Sequence, residues 1–310
     1  MPARALACPD SLKGVLSAGA AAASLAQGFG AAGVEAVELP VADGGEGTLD
    51  ALAAARGGEW REAEVSDAFG RPKRARWLLL PDGTAAVEAA EAVPLDPARL
   101  DPMRASSRGL GELVAAVGRP RALLVCLGGT ATVDGGAGLR EVLRELPAPT
   151  RVACDVSALL VDAARVYAAQ KGATPEQAAE LEARLAAMPE LAPYAEAPGA
   201  GSAGGLGAAL AALGAELVPG SSLVLEQIGF DPSGFDVVVT GEGAVDGTTV
   251  AGKAPGEIAR RCGAAGVRCV VFGGRVVEPL PGVETVALSG DPGRAREDLA
   301  ALGERLGREL

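Results

Sequence analysis

The feature that most constrains this chain is a junction it repeats. Three times an apolar run ends in glycines and an aspartate just before a helical stretch: PVADGGEGTLDAL (40–52), LVCLGGTATVDGGAGLREVL (124–143) and VVVTGEGAVDGTTVAGKAPGEIA (237–259). A fourth junction, ALACPDSLKG (5–14), carries Asp10, Ser11 and Lys13 in place of the glycine pair. Strand-length apolar runs alternating with Ala-rich helical stretches predict β-α-β units, and so an α/β fold with a mainly parallel sheet. Ligands of such sheets bind beyond the carboxyl ends of the strands, so the four corners are expected to face one cleft.

Residues 59–93 break the rhythm. Two alternating strands flank AFGRP and a third follows the turn PDGT, which reads as an antiparallel meander and marks a second domain or an insertion. Trp60 and Trp77 sit in this meander and read as core or domain contacts. Helices are expected over 17–30, 48–55, 138–146, 175–188, 206–213 and 255–265, with a charged, solvated helix closing the chain after Asp291. A length of 310 residues suits two domains.

Composition narrows the function. Nearly half the residues, 49%, are hydrophobic but only 3% are aromatic, so the core must be built from Ala, Leu and Val. The formal net charge of −12 argues against nucleic acid and anionic membranes as partners. With no histidine in the chain, Ser-His-Asp triads, Cys-His pairs and His-ligated zinc are excluded, and proton transfer falls to Asp, Glu, Lys or water. Five cysteines without C-x-x-C spacing read as reduced structural thiols, and no apolar run reaches the roughly 18 residues of a membrane span. A cytoplasmic protein without a signal peptide is expected.

The corners bring together two chemistries. Glycines let the backbone approach an anion, and a helix N-terminus adds partial positive charge. Aspartates at the same place would repel that anion unless Mg2+ stands between them or one acts as a base on a substrate hydroxyl. Lysines, aspartates and glycine-rich corners together describe phosphoryl transfer better than hydride or acyl transfer. Each corner also has an ordinary reading as turn and N-cap chemistry.

Two familiar motifs nearly match. GTTVAGKA (247–254) has P-loop spacing but ends in Ala254 where a Ser or Thr hydroxyl should bind Mg2+, and it lies too far from its strand. GAGSAG (199–204) has dinucleotide spacing but follows PYAEAP, which is no buried strand, so it reads as a connector or a loop over a ligand. In QKGATPEQ (170–177), Thr174 is placed to cap the following helix, with Lys171 just before it.

Taken in order, CPDSLKGVLSA (8–18), ADGGEGT (42–48), GGTATVDGGAGL (128–139), VACDV (152–156), QKGATPE (170–176), GAGSAGGLGAAL (199–210) and VTGEGAVDGTTVAGKAP (239–255) resemble the bacterial glycerate kinases of the glycerate kinase type 1 family. The resemblance runs from Cys8 to about Gly274. It implies ATP-dependent phosphorylation of D-glycerate, most often to 2-phosphoglycerate, with Mg2+. It also implies two α/β domains around an active-site cleft, one flavodoxin-like and formed from both chain ends, the other inserted. Texture puts the boundaries near residues 57 and 230, giving 1–57 plus 230–310 and an inserted 58–229 that holds the meander.

On this reading Asp43, Asp134 and Asp246 are the expected base and Mg2+ ligands, with Glu46 and Glu242 in support. Lys13 and Lys253 neutralise phosphate or the substrate carboxylate, and Asp10 and Ser11 contact substrate. Backbone N–H groups of Gly44, Gly45, Gly128, Gly129, Gly135 and Gly136 hold anionic oxygens, and Thr130 and Thr132 supply hydroxyls. The expected partners are ATP and D-glycerate, with a homodimer compatible with the chain.

The chain departs from the family pattern in three places. Val133 stands where the pattern has Asn, Ala244 where it has Arg, and SALLVDAARVY (157–167) has lost an Asn and its glycines. These changes leave open a rival class, a relative that binds a hydroxy acid or nucleotide without transfer. A nicotinamide-dependent oxidoreductase ranks behind both.

Overall fold

The computed structural model describes residues 2–154, 157–250 and 252–310, so Asp155 and Val156 of VACDV and Ala251 of GTTVAGKA lie outside it. In chain order the strands are β1 (Arg4–Ala7), β2 (Glu35–Glu38), β3 (Glu59–Ser66), β4 (Pro72–Leu79), β5 (Thr84–Glu88), β6 (Ala122–Cys126), β7 (Thr150–Cys154), β8 (Glu216–Pro219), β9 (Val237–Val245), β10 (Arg268–Val276) and β11 (Glu284–Ala287). They form two separate sheets, and the chain divides into two compact units. One unit comprises Met1–Asp43, Asp50–Ala55 and Val224–Leu310; the other comprises Gly44–Leu49 and Arg56–Leu223.

The first unit holds the sheet β2-β1-β9-β10-β11, parallel throughout. Numbered within the unit this is the order 2-1-3-4-5 of a flavodoxin-like domain, formed from both ends of the chain. Its central strands read as continuous apolar runs because both faces are covered. Helices Ala18–Ala31 and Ala295–Arg308 pack on each other over one face, burying Leu25, Phe29, Leu299 and Leu306 completely. Each such side chain contributes about 1.5–3 kcal/mol relative to exposure. The last helix is therefore not a solvated appendage. Its charges face water, but Leu299, Leu302 and Leu306 recur at helical spacing and form part of the core.

The second unit holds the mixed sheet β3-β4-β5-β6-β7-β8. β3, β4 and β5 pair antiparallel as the expected meander, and β5 to β8 run parallel. Trp77 is buried in this core. Trp60 is not a core residue: it is 39% exposed, with the Arg76 guanidinium stacked 4.8 Å from its ring centroid.

Local signals explain most helix ends. Ser17 caps Ala18–Ala31, and Thr174 with Gln177 closes a reciprocal capping box on Pro175–Ala186. The helix expected over 138–146 ends at Val142, ahead of Pro147 and Pro149, which cannot continue it. All five cysteines are free thiols, and four of them are buried. No helix among the described residues is long and apolar enough to cross a membrane.

Candidate active site

Beyond the carboxyl ends of the flavodoxin-like strands lies a cavity of about 720 Å³, lined by the first unit alone. It starts at the switch point between β1 and β9, where a flavodoxin-like sheet leaves a crevice because consecutive connections run in opposite directions. The turn after β1 contributes Asp10, Ser11 and Lys13, the segment after β2 contributes Asp43, and the end of β9 contributes Glu242 and Ala244. Lys253, Arg275 and residues 287–292 complete the far side. Two of the predicted corners, 5–14 and 237–259, thus share one cavity with Asp43.

Asp10 is the most perturbed acid here. It keeps a part-exposed face on the cavity while the rest of the residue is enclosed by protein. Burial first, then the charge of Asp43 and more weakly that of Glu242, raise its pKa to about 7. The Ser11 N–H, donating to its carboxylate at 2.6 Å, and the Lys13 ammonium pull the other way without restoring the ordinary carboxylate range. Glu242 is held differently. It accepts from Thr249 Oγ1 and from Lys253 Nζ, each at 2.8 Å, so Lys253 enters the cavity as half of an ion pair. In the P-loop reading this lysine would be aimed at phosphate from a loop. Here it stands just ahead of helix Ala254–Ala265, tied to β9.

Asp246 does not line the cavity. Its carboxylate accepts from the Thr248 hydroxyl and amide, which hold its pKa below the usual range. The corner at 40–52 is split between the units: Asp43 belongs to the first, whereas Gly44, Gly45 and Glu46 belong to the second. Gly44 has φ +93°, and a Cβ there would lie 2.8 Å from Gly220 Cα and 2.9 Å from Ala153 Cβ, so only glycine fits. Glu46 is exposed.

The corner at 124–143 also lies in the second unit. The Asp134 carboxylate accepts four hydrogen bonds: from Ser107 N–H and Oγ at 2.8 Å each, and from the N–H groups of Gly136 and Gly138 at 3.1 Å. It ties two helix starts together, through Ser107 on one side and Gly136 and Gly138 on the other. Three of the six amides expected to hold anions are likewise engaged. Gly136 N–H donates to Asp134, Gly135 N–H to Gly204 O at 3.0 Å, and Gly128 N–H to Gly44 O at 3.4 Å.

Thr132 Oγ1 donates to Ala203 O, and buried Lys171 donates to Thr132 O at 2.8 Å and to Thr130 Oγ1 at 3.5 Å. GAGSAG is the packing partner of this loop: a Cβ on Gly204 would come 1.9 Å from Thr132 O. Val133 is sunk among Leu160, Leu181 and Leu185, so the position where the family pattern has an amide is part of an apolar cluster here.

Among the described residues no group of three or more His, Cys, Asp or Glu side chains is arranged to hold a metal ion. Mg2+ in phosphoryl-transfer sites needs only one or two carboxylates together with substrate phosphates. Asp10 and Asp43, whose charges repel each other, fit that smaller requirement. Sequence reasoning missed Arg275 and the ends of β10 and β11. The available signal was FGGR at 272–275, one more apolar run ending in glycines.

A flavodoxin-like sheet with carboxylates and lysines gathered beyond its strand ends is the equipment of an α/β enzyme working on anionic groups. Comparison with known proteins gives the family. The model of the glycerate kinase family matches residues 5–146 and 141–289. Glycerate 2-kinase of Escherichia coli K12 is 36% identical, over 80% of this chain and 78% of that one. Glycerate kinase of Bacillus subtilis 168 is 35% identical, over 81% and 80%. A crystal structure described as a candidate glycerate kinase 2 from Salmonella typhimurium LT2 superposes with a TM-score of 0.84 at 28% identity, covering 100% of this chain and 98% of that one. The chain belongs to the glycerate kinase family, a family of kinase enzymes.

Proposed function

We propose that the protein transfers the γ-phosphoryl group of ATP to a hydroxyl of D-glycerate, the 2-hydroxyl in preference to the 3-hydroxyl, with Mg2+ as the assisting ion and in the cytoplasm. The observation that carries this reading is a carboxyl held near neutrality at the strand ends, Asp10, beside Asp43, Lys13 and the Glu242–Lys253 pair. The family supports ATP as donor and glycerate as acceptor. The name of the Escherichia coli relative supports the 2-phospho product.

A base works best when its pKa lies near the working pH. In this reading Asp10 accepts the hydroxyl proton as the glycerate oxygen bonds to the γ-phosphorus. The bond from that phosphorus to the β,γ-bridging oxygen breaks in line, and ADP leaves. Asp43 and phosphate oxygens would hold Mg2+, which neutralises developing phosphate charge when bound. Lys13 lowers the cost of bringing an anion beside Asp10, and Lys253, oriented by Glu242, presents charge on the other wall. Asp134 acts only through the loop it holds.

The test is ADP release coupled to D-glycerate addition, with the product resolved by 31P NMR. Glycerate-dependent ADP release with a 2-phosphoglycerate resonance is the expected result. Binding of both substrates without ADP release would instead identify a relative that has lost transfer.

A further inference from the structure

The cavity is not uniform along the sheet. Its β2–β1 end is acidic, with Asp43 and Asp10, whereas its β10–β11 end offers the apolar surface of Val276, Ala287, Leu288, Pro292 and Ala295, with Ser289, Asp291 and Asp298 beside it. Most of its other charges are engaged locally. Glu242 holds Lys253, Asp298 accepts from the Ser289 N–H and hydroxyl, and Asp291 accepts from Gly293 N–H. Arg275 lies between the two ends, and among the described residues its guanidinium has no hydrogen-bond or ion-pair partner.

The register explains how Arg275 reaches this place. Arg275 pairs with Ala244 on the neighbouring parallel strand, so the two side chains leave the sheet on the same face, and the methyl of Ala244 leaves room beside the longer one. Where the family pattern places a guanidinium at position 244, this chain supplies one from the adjacent strand. The cavity's size agrees with a ligand larger than glycerate. At about 720 Å³ it falls within the roughly 300–1,000 Å³ of pockets that enclose nucleotide- or drug-sized molecules. A three-carbon acid would leave most of it, and all of its apolar end, unfilled.

We infer that the first unit is the nucleotide-binding unit and that its cavity takes ATP in one orientation: nucleoside over Val276, Leu288, Pro292 and Ala295, phosphates across Arg275, and the γ-phosphate toward Asp10 and Asp43. The inference rests on the kinase reading for the identity of the nucleotide, but it assigns a unit, a polarity and a residue that this reading leaves open. A guanidinium suits the middle of that path because its planar fork binds phosphate oxygens in pairs, which an ammonium does not. Arg275 is therefore a phosphate-binding residue, and Ala295 is a determinant of space for the base.

The test uses the full chain with Mg2+, measuring equilibrium binding of a fluorescent ATP analogue and of tripolyphosphate as competitor, beside steady-state kinetics. Arg275→Ala is expected to weaken both ligands about 10- to 100-fold. Arg275→Lys should recover part of that loss. Ala295→Trp is expected to weaken the ATP analogue at least about tenfold while tripolyphosphate still binds as in the wild type. The glycerate KM should move less than about twofold in all three.

The inference is overturned if the wild type binds no nucleotide, if both variants keep wild-type nucleotide affinity, or if the losses fall on glycerate alone. A wild type that binds nucleotide but does not phosphorylate glycerate refutes the proposed reaction. Loss of nucleotide binding in Arg275→Ala and Ala295→Trp would still support the inference in that case. Thermal melts at the assay temperature separate lost binding from lost folding.

Discussion

Asp10 and Asp134 occupy comparable places in the two units, each in the connection between a parallel strand and the next helix, yet their carboxylates live under opposite conditions. Asp134 collects four donors, from Ser107, Gly136 and Gly138. Asp10 collects one donor, the Ser11 amide, and faces the charges of Asp43 and Glu242. A carboxylate satisfied by several N–H and O–H groups is stable where it is and inert. One buried among like charges is costly to ionise, and that cost falls when a proton or a cation arrives. The same sequence theme therefore builds a hydrogen-bonded tie in one unit and a carboxyl crowded by like charges in the other.

The sharpest way to break this contrast is at the reactive side. Asp43→Asn is expected to lower turnover with ATP and D-glycerate about 10²- to 10³-fold, the range for loss of a group that stabilises developing charge. The coupled ADP-release assay reads it directly, and wild-type turnover would remove Asp43 from the mechanism. The matching cut on the structural side should register in stability instead. Asp134→Ala leaves a hydroxyl and three N–H donors without their acceptor and is expected to destabilise the protein by about 2–4 kcal/mol in urea unfolding. Nucleotide affinity of the protein that remains folded should be unchanged.

The pH dependence sharpens the comparison further. Because the Asp10 pKa is raised from 3.8 to about 7, the folded state keeps a proton that the unfolded chain has already lost. Its ionisation therefore costs stability progressively from about pH 4 to about pH 7, with the full cost above that. In EDTA, Asp10→Asn should melt higher than the wild type at pH 8, and the gain should shrink as pH falls through this window. Asp134→Asn, which sets an NH2 group among the four donors that the carboxylate accepts, should lose stability instead. A stabilising effect of Asp10→Asn that is independent of pH would contradict the proposed source of strain.

The smallest effect calibrates the rest. Thr174→Ala removes one half of the capping box on helix Pro175–Ala186, far in sequence from either aspartate. It should cost about 1 kcal/mol without changing turnover. If this ordinary cap proved as costly to lose as Asp134, the network around Asp134 would be no more than a cap itself.

Much of this molecule was legible in its residues. The alternation of apolar runs and Ala-rich stretches determined the α/β class, the change of texture at 59–93 determined the meander, and Ser17 and Thr174 marked their helices, because all of these depend on neighbours within a few residues. The seven motifs from Cys8 to Pro255 carry the resemblance to the glycerate kinase family, whose model matches residues 5–146 and 141–289.

The sequence by itself could not separate its look-alike corners. Asp10, Asp43, Asp134 and Asp246 all read as strand-end carboxylates, and only tertiary structure decided which received donors and which received like charges. The donors of Asp134 come partly from Ser107, 27 residues away, and the charge that faces Asp10 comes from Asp43 on a neighbouring strand connection and from Glu242 at the other end of the chain. Arg275 was invisible as a partner of position 244 for the same reason, since parallel register joins residues that the sequence keeps 31 apart. Local propensity is written in consecutive residues, whereas a pKa, an ion pair or a cavity is a sum over everything that folding brings near.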